Sequence, residues 1–449
     1  MQLKHLSAIA VILSLTACNL LQDFQRPEAE IPEHWREAEQ VQSQSNIDPK
    51  WWQAFGSQEL NHLIDEALVY NNDLAAAGQR IEQARAQAKI AGANLWPTAG
   101  ITGDYSGLHN DLGETQRKAG QVTVAYEVDL WGANRARRDA GEARLQSEVF
   151  ARDALKLVVM ADVGQSYFTL LAILERKRIT TDFLHNVADV LSIIEARFAA
   201  GAVSAVDLAQ QQTEWATARA NLDLLTQQQA LAENALAILL GHPPQQPVYQ
   251  PDNFFAVLMP EIKPLQPGSL LQRRPDVRQS EMQLQATNAD IAVALAAFYP
   301  KLQLNIDTLL ANPQPAGLAL AMAANLAQPL FQGGRIEAGL EGARARNAEL
   351  VETYQQTLLV AFKEVEDAAA IRKNSTLRMQ ALADAVEKAQ EAYRLSEERY
   401  RVGAIDYQTL LNTQRSLLNA QNSQVQARLD VLLALVQLYK ALGGGWAGG

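Results

Sequence analysis

The chain has 449 residues, of which 48% are hydrophobic and only 6% aromatic, so Ala, Leu and Val carry most of the apolar surface. That mixture suits long helices with small side chains at their contacts and argues against a conventional enzyme. A formal net charge of −11 disfavours nucleic acid as a partner, because the 39 Lys and Arg are interleaved with acids rather than gathered on one face.

The first residues read MQLKHLSAIAVILSLTACNL. Lys4 supplies a positive start, Leu6 to Leu15 an apolar run, and small residues precede Cys18, the sole cysteine. The run is too short to span a membrane and reads as an export signal over residues 1–17. Leu15-Thr16-Ala17-Cys18 resembles the bacterial lipobox, whose cysteine becomes the lipidated first residue of the mature chain. Ordinary cleavage nearby, leaving a chance cysteine, is the alternative. Asn19 in place of an inner-membrane-retaining Asp leans towards the outer membrane. Residues 18–50 then form an extended, lipid-anchored segment.

No later stretch offers about 18 uninterrupted apolar residues. Any membrane crossing therefore requires strands. Proline punctuates the rest: none lies between Pro97 and Pro243 or after Pro329, and seven of the 16 crowd into Pro243 to Pro267. Residues 243–268 are thus a linker between a first half, 51–242, and a second, 269–443, with a Gly-rich tail at 444–449.

Each half carries the same phrases. NLWPTAGI (from Asn94) matches AFYPKLQL (from Ala297), and DLWGANRARR (from Asp129) answers PLFQGGRIEA (from Pro329), with Arg135 and Arg335 200 apart. RFAAGAVSAVDL (Arg197 to Leu208) matches RYRVGAIDYQTL (Arg399 to Leu410), 202 apart (399 − 197). The chain is a tandem repeat. Long helical patterns fill the proline-free zones, one reaching from about Arg135 to Ala200, or ~100 Å at the rise of an α-helix.

Between them the period changes to two. Val122, Val124, Tyr126 and Val128 alternate with Thr123, Ala125 and Glu127; Leu302, Leu304 and Ile306 alternate with Gln303, Asn305 and Asp307. Four strands are expected, at about 98–107, 121–131, 301–310 and 317–331, with Pro313 and Pro315 at the tip of a short second hairpin. Soluble hairpins over a core are one reading. Strands of this length also suit a membrane barrel, but four cannot close one, so several protomers must share it.

LLQRRPDVRQSEMQLQATNADIAVALAAFYPKL (Leu270 to Leu302), PLFQGG (from Pro329) and RYRVGAIDYQTLLNTQRSLL (Arg399 to Leu418) resemble the signature stretches of the TolC-like outer-membrane factors. More narrowly, they are similar to the lipoprotein branch serving resistance-nodulation-division efflux pumps, which WWQAFGSQELNHLIDEALVYNNDL (Trp51 to Leu74) also fits. The resemblance covers nearly the whole mature chain. It implies a mainly α-helical homotrimer whose protomers pool four strands each into a twelve-stranded outer-membrane β-barrel, continued by a long periplasmic α-helical barrel. It implies an exit duct for small molecules, fed by a periplasmic adaptor and an inner-membrane pump, with outer-membrane lipid around it, no cofactor, no metal and no bond change.

The repeated phrase then marks two helix–turn–helix tips, at about 197–208 and 399–410. Gly201 and Gly403 suit the residue just past a helix end, and Ser204 and Asp406 suit N-caps. The resemblance makes Gly201, Ala202, Val203, Gly403, Ala404 and Ile405 adaptor contacts. Candidate gate residues are Arg197, Phe198, Asp207, Arg399, Tyr400, Asp406 and Asn412. Arg197 and Arg399 also simply complement helix dipoles, Phe198 and Tyr400 are alternatively core knobs, and Asp207 is alternatively a cap. The family usually has an acid where Asn412 stands, which puts an acidic ring there in doubt. Arg273 and Arg274, before Pro275, read as a helix entry. Two other functions stay open: a lipid-anchored periplasmic coiled-coil interaction protein, and an outer-membrane duct for protein secretion.

Overall fold

A computed structural model describes residues 24–37, 48–110, 113–245, 249–262, 266–312, 319–444 and 446, with side chains at 108–117 and 309–319 outside the description. Cys18, the export signal, Pro313 and Pro315 lie outside the described residues. The helices are α1 (Gln58–Tyr70), α2 (Asn72–Ala93), α3 (Ala133–Ala199), α4 (Ala205–Leu239), α5 (Leu270–Arg273), α6 (Pro275–Ala296), α7 (Arg335–Arg401) and α8 (Tyr407–Ala441). The strands are β1 (Thr98–Asn110), β2 (Gly113–Val128), β3 (Lys301–Asn312) and β4 (Ala319–Ala327). The two halves match in length: α2 and α6 have 22 residues each, α3 and α7 have 67, α4 and α8 have 35.

The described residues form two compact units. One lies within Met1–Ala29, Ala77–Ala151 and Asp276–Thr357, the other within Glu30–Ala76, Arg152–Pro275 and Leu358–Gly449.

The first unit holds an antiparallel sheet in the order β1-β2-β3-β4. Its register sets Val124 opposite Ile306, Tyr126 opposite Leu304 and Leu302 opposite Leu326, so the even positions of β2, β3 and β4 make one apolar face. Ile101, opposite Val122, extends that face onto β1. The other face carries Gln121, Thr123 and Asp307, where the Asp307 carboxylate accepts from Gln121 Nε2 at 3.1 Å and Thr123 Oγ1 at 2.8 Å. β-branched residues fit such a pleated surface, and register is fixed because a one-residue slip exchanges the faces.

Strand ends differ from the sequence expectation for identifiable reasons. β2 starts at Gly113 rather than 121, because Gln116, Arg117 and Lys118 carry the ladder onward without an alternating signal. It stops at Val128 rather than 131, because the Asp129 carboxylate turns to accept the N–H groups of Asn134 and Arg135 at the start of α3. β4 stops at Ala327 rather than 331, since Gln328 leads into Pro329, which has no N–H for a ladder. β1 and β3 run on to Asn110 and Asn312, past 107 and 310. The repeat spacing at the sheet exit is also corrected. Gly132 (φ 79°) and Gly334 (φ 80°) occupy equivalent positions before α3 and α7, a spacing of 202 (334 − 132) rather than 200. Gln332 and Gly333 are the two extra residues of the second half.

The second unit is helical around an aromatic cluster. Trp51 stacks on Tyr439 with centroids 4.8 Å apart, and Phe55 packs on Phe168 at 5.1 Å. An 18-residue window of α3 is apolar enough to cross a membrane, but 67% of it is buried in the protein. Val159, Val163, Phe168 and Leu171 are part of the core instead. Arg274 is a structural entry: buried itself, it donates to Glu364 at 2.7 Å and to the Ala441 carbonyl at 3.1 Å. Within the linker, Arg428 organises a short turn by donating to the carbonyls of Phe254, Phe255 and Val257.

Candidate functional site

The two repeated phrases end α3 and α7 in the same way. Ala202 N–H donates to the Arg197 carbonyl at 2.8 Å and Gly201 N–H to that of Phe198 at 2.9 Å. Ala404 N–H reaches Arg399 at 2.9 Å and Gly403 N–H reaches Tyr400 at 3.0 Å. This pair of bonds is a Schellman cap, which needs a left-handed residue; Gly201 and Gly403 both have φ 74°. The chain then re-enters a helix. Ser204 and Asp207 form a reciprocal capping box, with Asp207 N–H to Ser204 Oγ at 3.2 Å and Ser204 N–H to Asp207 Oδ2 at 3.0 Å. Asp406 accepts from Thr409 N–H at 2.7 Å, and its bonds to Thr409 hold its carboxyl below the usual range. Both carboxylates are engaged as caps.

The tips pack against each other. Ile194, Tyr400, Tyr407, Leu410 and Leu411 form a buried cluster, with Val203 and Ile405 partly buried on it. Burying Ile194, Leu410 and Leu411 contributes about 1.5–3 kcal/mol each by removing them from water. Arg197 lies over the Tyr400 ring at 5.1 Å, so these two gate candidates are brought together. Tyr400 meets Tyr407 edge-on at 6.3 Å. Phe198, Arg399 and Asn412 remain exposed, and Asn412 accepts from Gln408 at 3.2 Å. Gly201, Ala202, Gly403 and Ala404 are exposed as well.

Sequence reasoning missed the polar half of this join. The Tyr407 hydroxyl donates to Gln211 Oε1, while Gln211 Nε2 donates to the Val187 carbonyl at 2.7 Å in a buried setting. Arg415 Nε donates to the buried Glu214 carboxylate at 2.8 Å. Burial, then the Glu214 charge, pushes the Tyr407 hydroxyl well above the ordinary tyrosine range, so it stays a donor. These positions differ between the two halves: Gln211 corresponds to Thr413, Glu214 to Ser416 and Tyr407 to Ala205. A search for what repeats passes over them. Beside the join, an open groove lies between the first three turns of α4 and of α8, lined by Val206, Ala209, Thr213, Gln408 and Arg415.

Four strands with one apolar and one polar face, paired helices of matched length and two like-built tips define a class, the membrane channels built on a shared β-barrel and a helical extension. Comparison with known proteins gives the family. Residues 63–242 and 267–444 match the model of the outer membrane efflux protein family, and the chain belongs to that family. It is 36% identical to the pyoverdine export outer membrane protein OpmQ of Pseudomonas aeruginosa, over 99% of this chain and 98% of that one. It is 32% identical to the outer membrane protein OprJ of Pseudomonas aeruginosa, covering 98% of this chain and 95% of that one. Among solved structures, the open state of the Neisseria gonorrhoeae MtrE outer membrane channel superposes with a TM-score of 0.85 at 26% identity, covering 95% of this chain and 98% of that one. The protein is an outer-membrane exit duct, and its relatives are channels rather than enzymes.

Proposed function

We propose that the chain is the outer-membrane component of a tripartite efflux pump passing small molecules. Three copies pool their strands into a twelve-stranded barrel, Cys18 carries the lipid anchor after removal of residues 1–17, and an adaptor joins the duct to an inner-membrane pump of the resistance-nodulation-division class. The observation that carries this is the sheet: one face apolar, one polar, and a free edge on either side, which lipid does not tolerate in a single chain. The name of OpmQ, pyoverdine export, supports small-molecule cargo over secreted protein.

The tips are the periplasmic mouth. Arg197 on Tyr400, Tyr407 on Gln211 and Arg415 on Glu214 hold the closed form, and the groove by Val206 and Gln408 receives the adaptor. Adaptor binding opens the mouth only by making contacts that the open form offers and the closed form does not. Mass measurement and electron-microscope class averages of full-length protein extracted in detergent test the assembly. A hollow trimer supports it; a monomer or a solid rod favours the lipid-anchored coiled coil. Lipid labelling that survives Cys18→Ser would remove the anchor assignment.

A further inference from the structure

The polar face of the sheet carries few charges, and they are unevenly placed. Odd positions of β2, β3 and β4 and even positions of β1 make up that face. β4 contributes only small or neutral side chains to it, with Ala321, Ala323 and Asn325 all exposed. Among the described side chains, its charges are Asp104, Glu127, Lys301 and Asp307.

Asp307 differs from the other three. Asp104 is level with Ala119 and Ala311, at the hairpin end of β3. Glu127 faces Gln303, and Lys301 lies two residues before Gln303 on the same face, so at the helix end of the strands their opposite charges are diagonal neighbours and offset each other. Asp307 sits between these levels. Its neighbours across both ladders, Thr123 and Ala321, carry no charge to offset it. Two donors fix its carboxylate in place, Gln121 Nε2 at 3.1 Å and Thr123 Oγ1 at 2.8 Å, both to Oδ1.

We propose that Asp307 sets the charge preference of the duct, so that the barrel itself favours small cations over anions. This rests on the shared-barrel reading, which turns one carboxylate per chain into a ring of three at one level of the lumen. Twelve strands about 4.8 Å apart and tilted about 40° close on a radius of about 12 Å. An inward-pointing aspartate then holds its charge ~9 Å from the axis, within one Debye length of about 10 Å at 0.1 M salt. Three such charges, screened over that length in water, enrich a monovalent cation on the axis about 2.5-fold and deplete an anion equally, a ratio of roughly 6. At about 1 M salt the Debye length of about 3 Å leaves a ratio below about 2. Small side chains such as Ala321 and Ala323 keep the lumen wide at this level, so the ring acts through its field and not by contact.

The test is the reversal potential of the full-length protein in planar bilayers under a KCl gradient. The unmodified channel should prefer K⁺ to Cl⁻ roughly 6-fold near 0.1 M and lose most of that preference near 1 M. Asp307→Asn keeps an acceptor for Gln121 and Thr123 and should lower the low-salt ratio at least about 2-fold. Ala321→Lys, which sets a cation opposite an intact Asp307, should lower it likewise. Asp104→Asn, at the hairpin end, should change it less. An unmoved reversal potential in a conducting Asp307→Asn trimer overturns the proposal and puts charge selection at the tips, while the barrel stands. A K⁺ preference that survives high salt undiminished overturns it too. Absence of a trimer in unmodified protein removes the barrel reading and this one with it.

Discussion

Replacing Tyr407 by Phe removes one oxygen from the join between the tips and leaves the ring in place. The hydroxyl is the donor to Gln211 Oε1, and Gln211 is fully buried, with its other arm held by the Val187 carbonyl. A buried acceptor stripped of its partner costs about 1–3 kcal/mol. If opening the mouth parts the tips, Gln211 regains water in the open form and the cost falls on the closed form alone. The closed-to-open balance should then shift by roughly 5- to 150-fold per tip. Conductance of the purified protein in planar bilayers reads this directly: Tyr407→Phe should show more frequent and longer openings than the unmodified channel, with trimers of similar heat resistance. Unchanged conductance together with a lowered melting temperature would refute the reasoning, because the bond would then persist in both states and the join would be plain structure.

Other outcomes follow from the same geometry. Alkaline titration has a worked sign: because the folded Tyr407 hydroxyl is raised, its contribution is complete below the unfolded value near 10 and is lost as pH climbs through the folded one. Tyr407→Phe should therefore flatten the loss of tip protection from hydrogen exchange as pH rises above about 10. At Gly403, a Cβ would meet nothing within 4 Å, so Gly403→Ala brings only left-handed strain of about 1–2 kcal/mol. Drug efflux should fall while trimers persist; normal resistance in this variant would count against the tip assignment. At Gly241 the same change meets the Tyr70 carbonyl, so Gly241→Ala should lower the yield of folded protein where Gly201→Ala does not. On the sheet, Met322→Arg places a charge on the apolar face and should cost about 2–4 kcal/mol near the bilayer centre. Ala323→Arg, on the opposite face, should leave outer-membrane trimer levels unchanged, and equal losses in both would contradict the assigned faces.

Much of the architecture was legible because the chain states it twice. The tips, the linker and the long helices were marked by Gly201 and Gly403, by the prolines and by their absence. The strands were legible where Val122 to Val128 and Leu302 to Ile306 alternate, and illegible where Gln116 to Lys118 form a ladder from polar residues. The junction spacing went astray because Trp131 and Phe331 look alike, whereas the backbone is set by Gly132 and Gly334. Similarity of side chain and equivalence of position part company there. The join of the tips was illegible for the opposite reason: Gln211, Glu214, Tyr407 and Arg415 work because the halves differ.

The equal helix lengths have a consequence for how such a protein can change. Because α3 and α7 share one length and α4 and α8 another, and because their ends pack tip to tip, depth is a quantity recorded four times. Seven residues inserted into α3 alone would carry one tip about 10 Å past its twin. The same seven inserted in all four helices would leave the packing of the tips intact. A lineage that needs to span a wider periplasm must therefore alter both halves of the gene in concert, and drift in either half alone is removed at the tips.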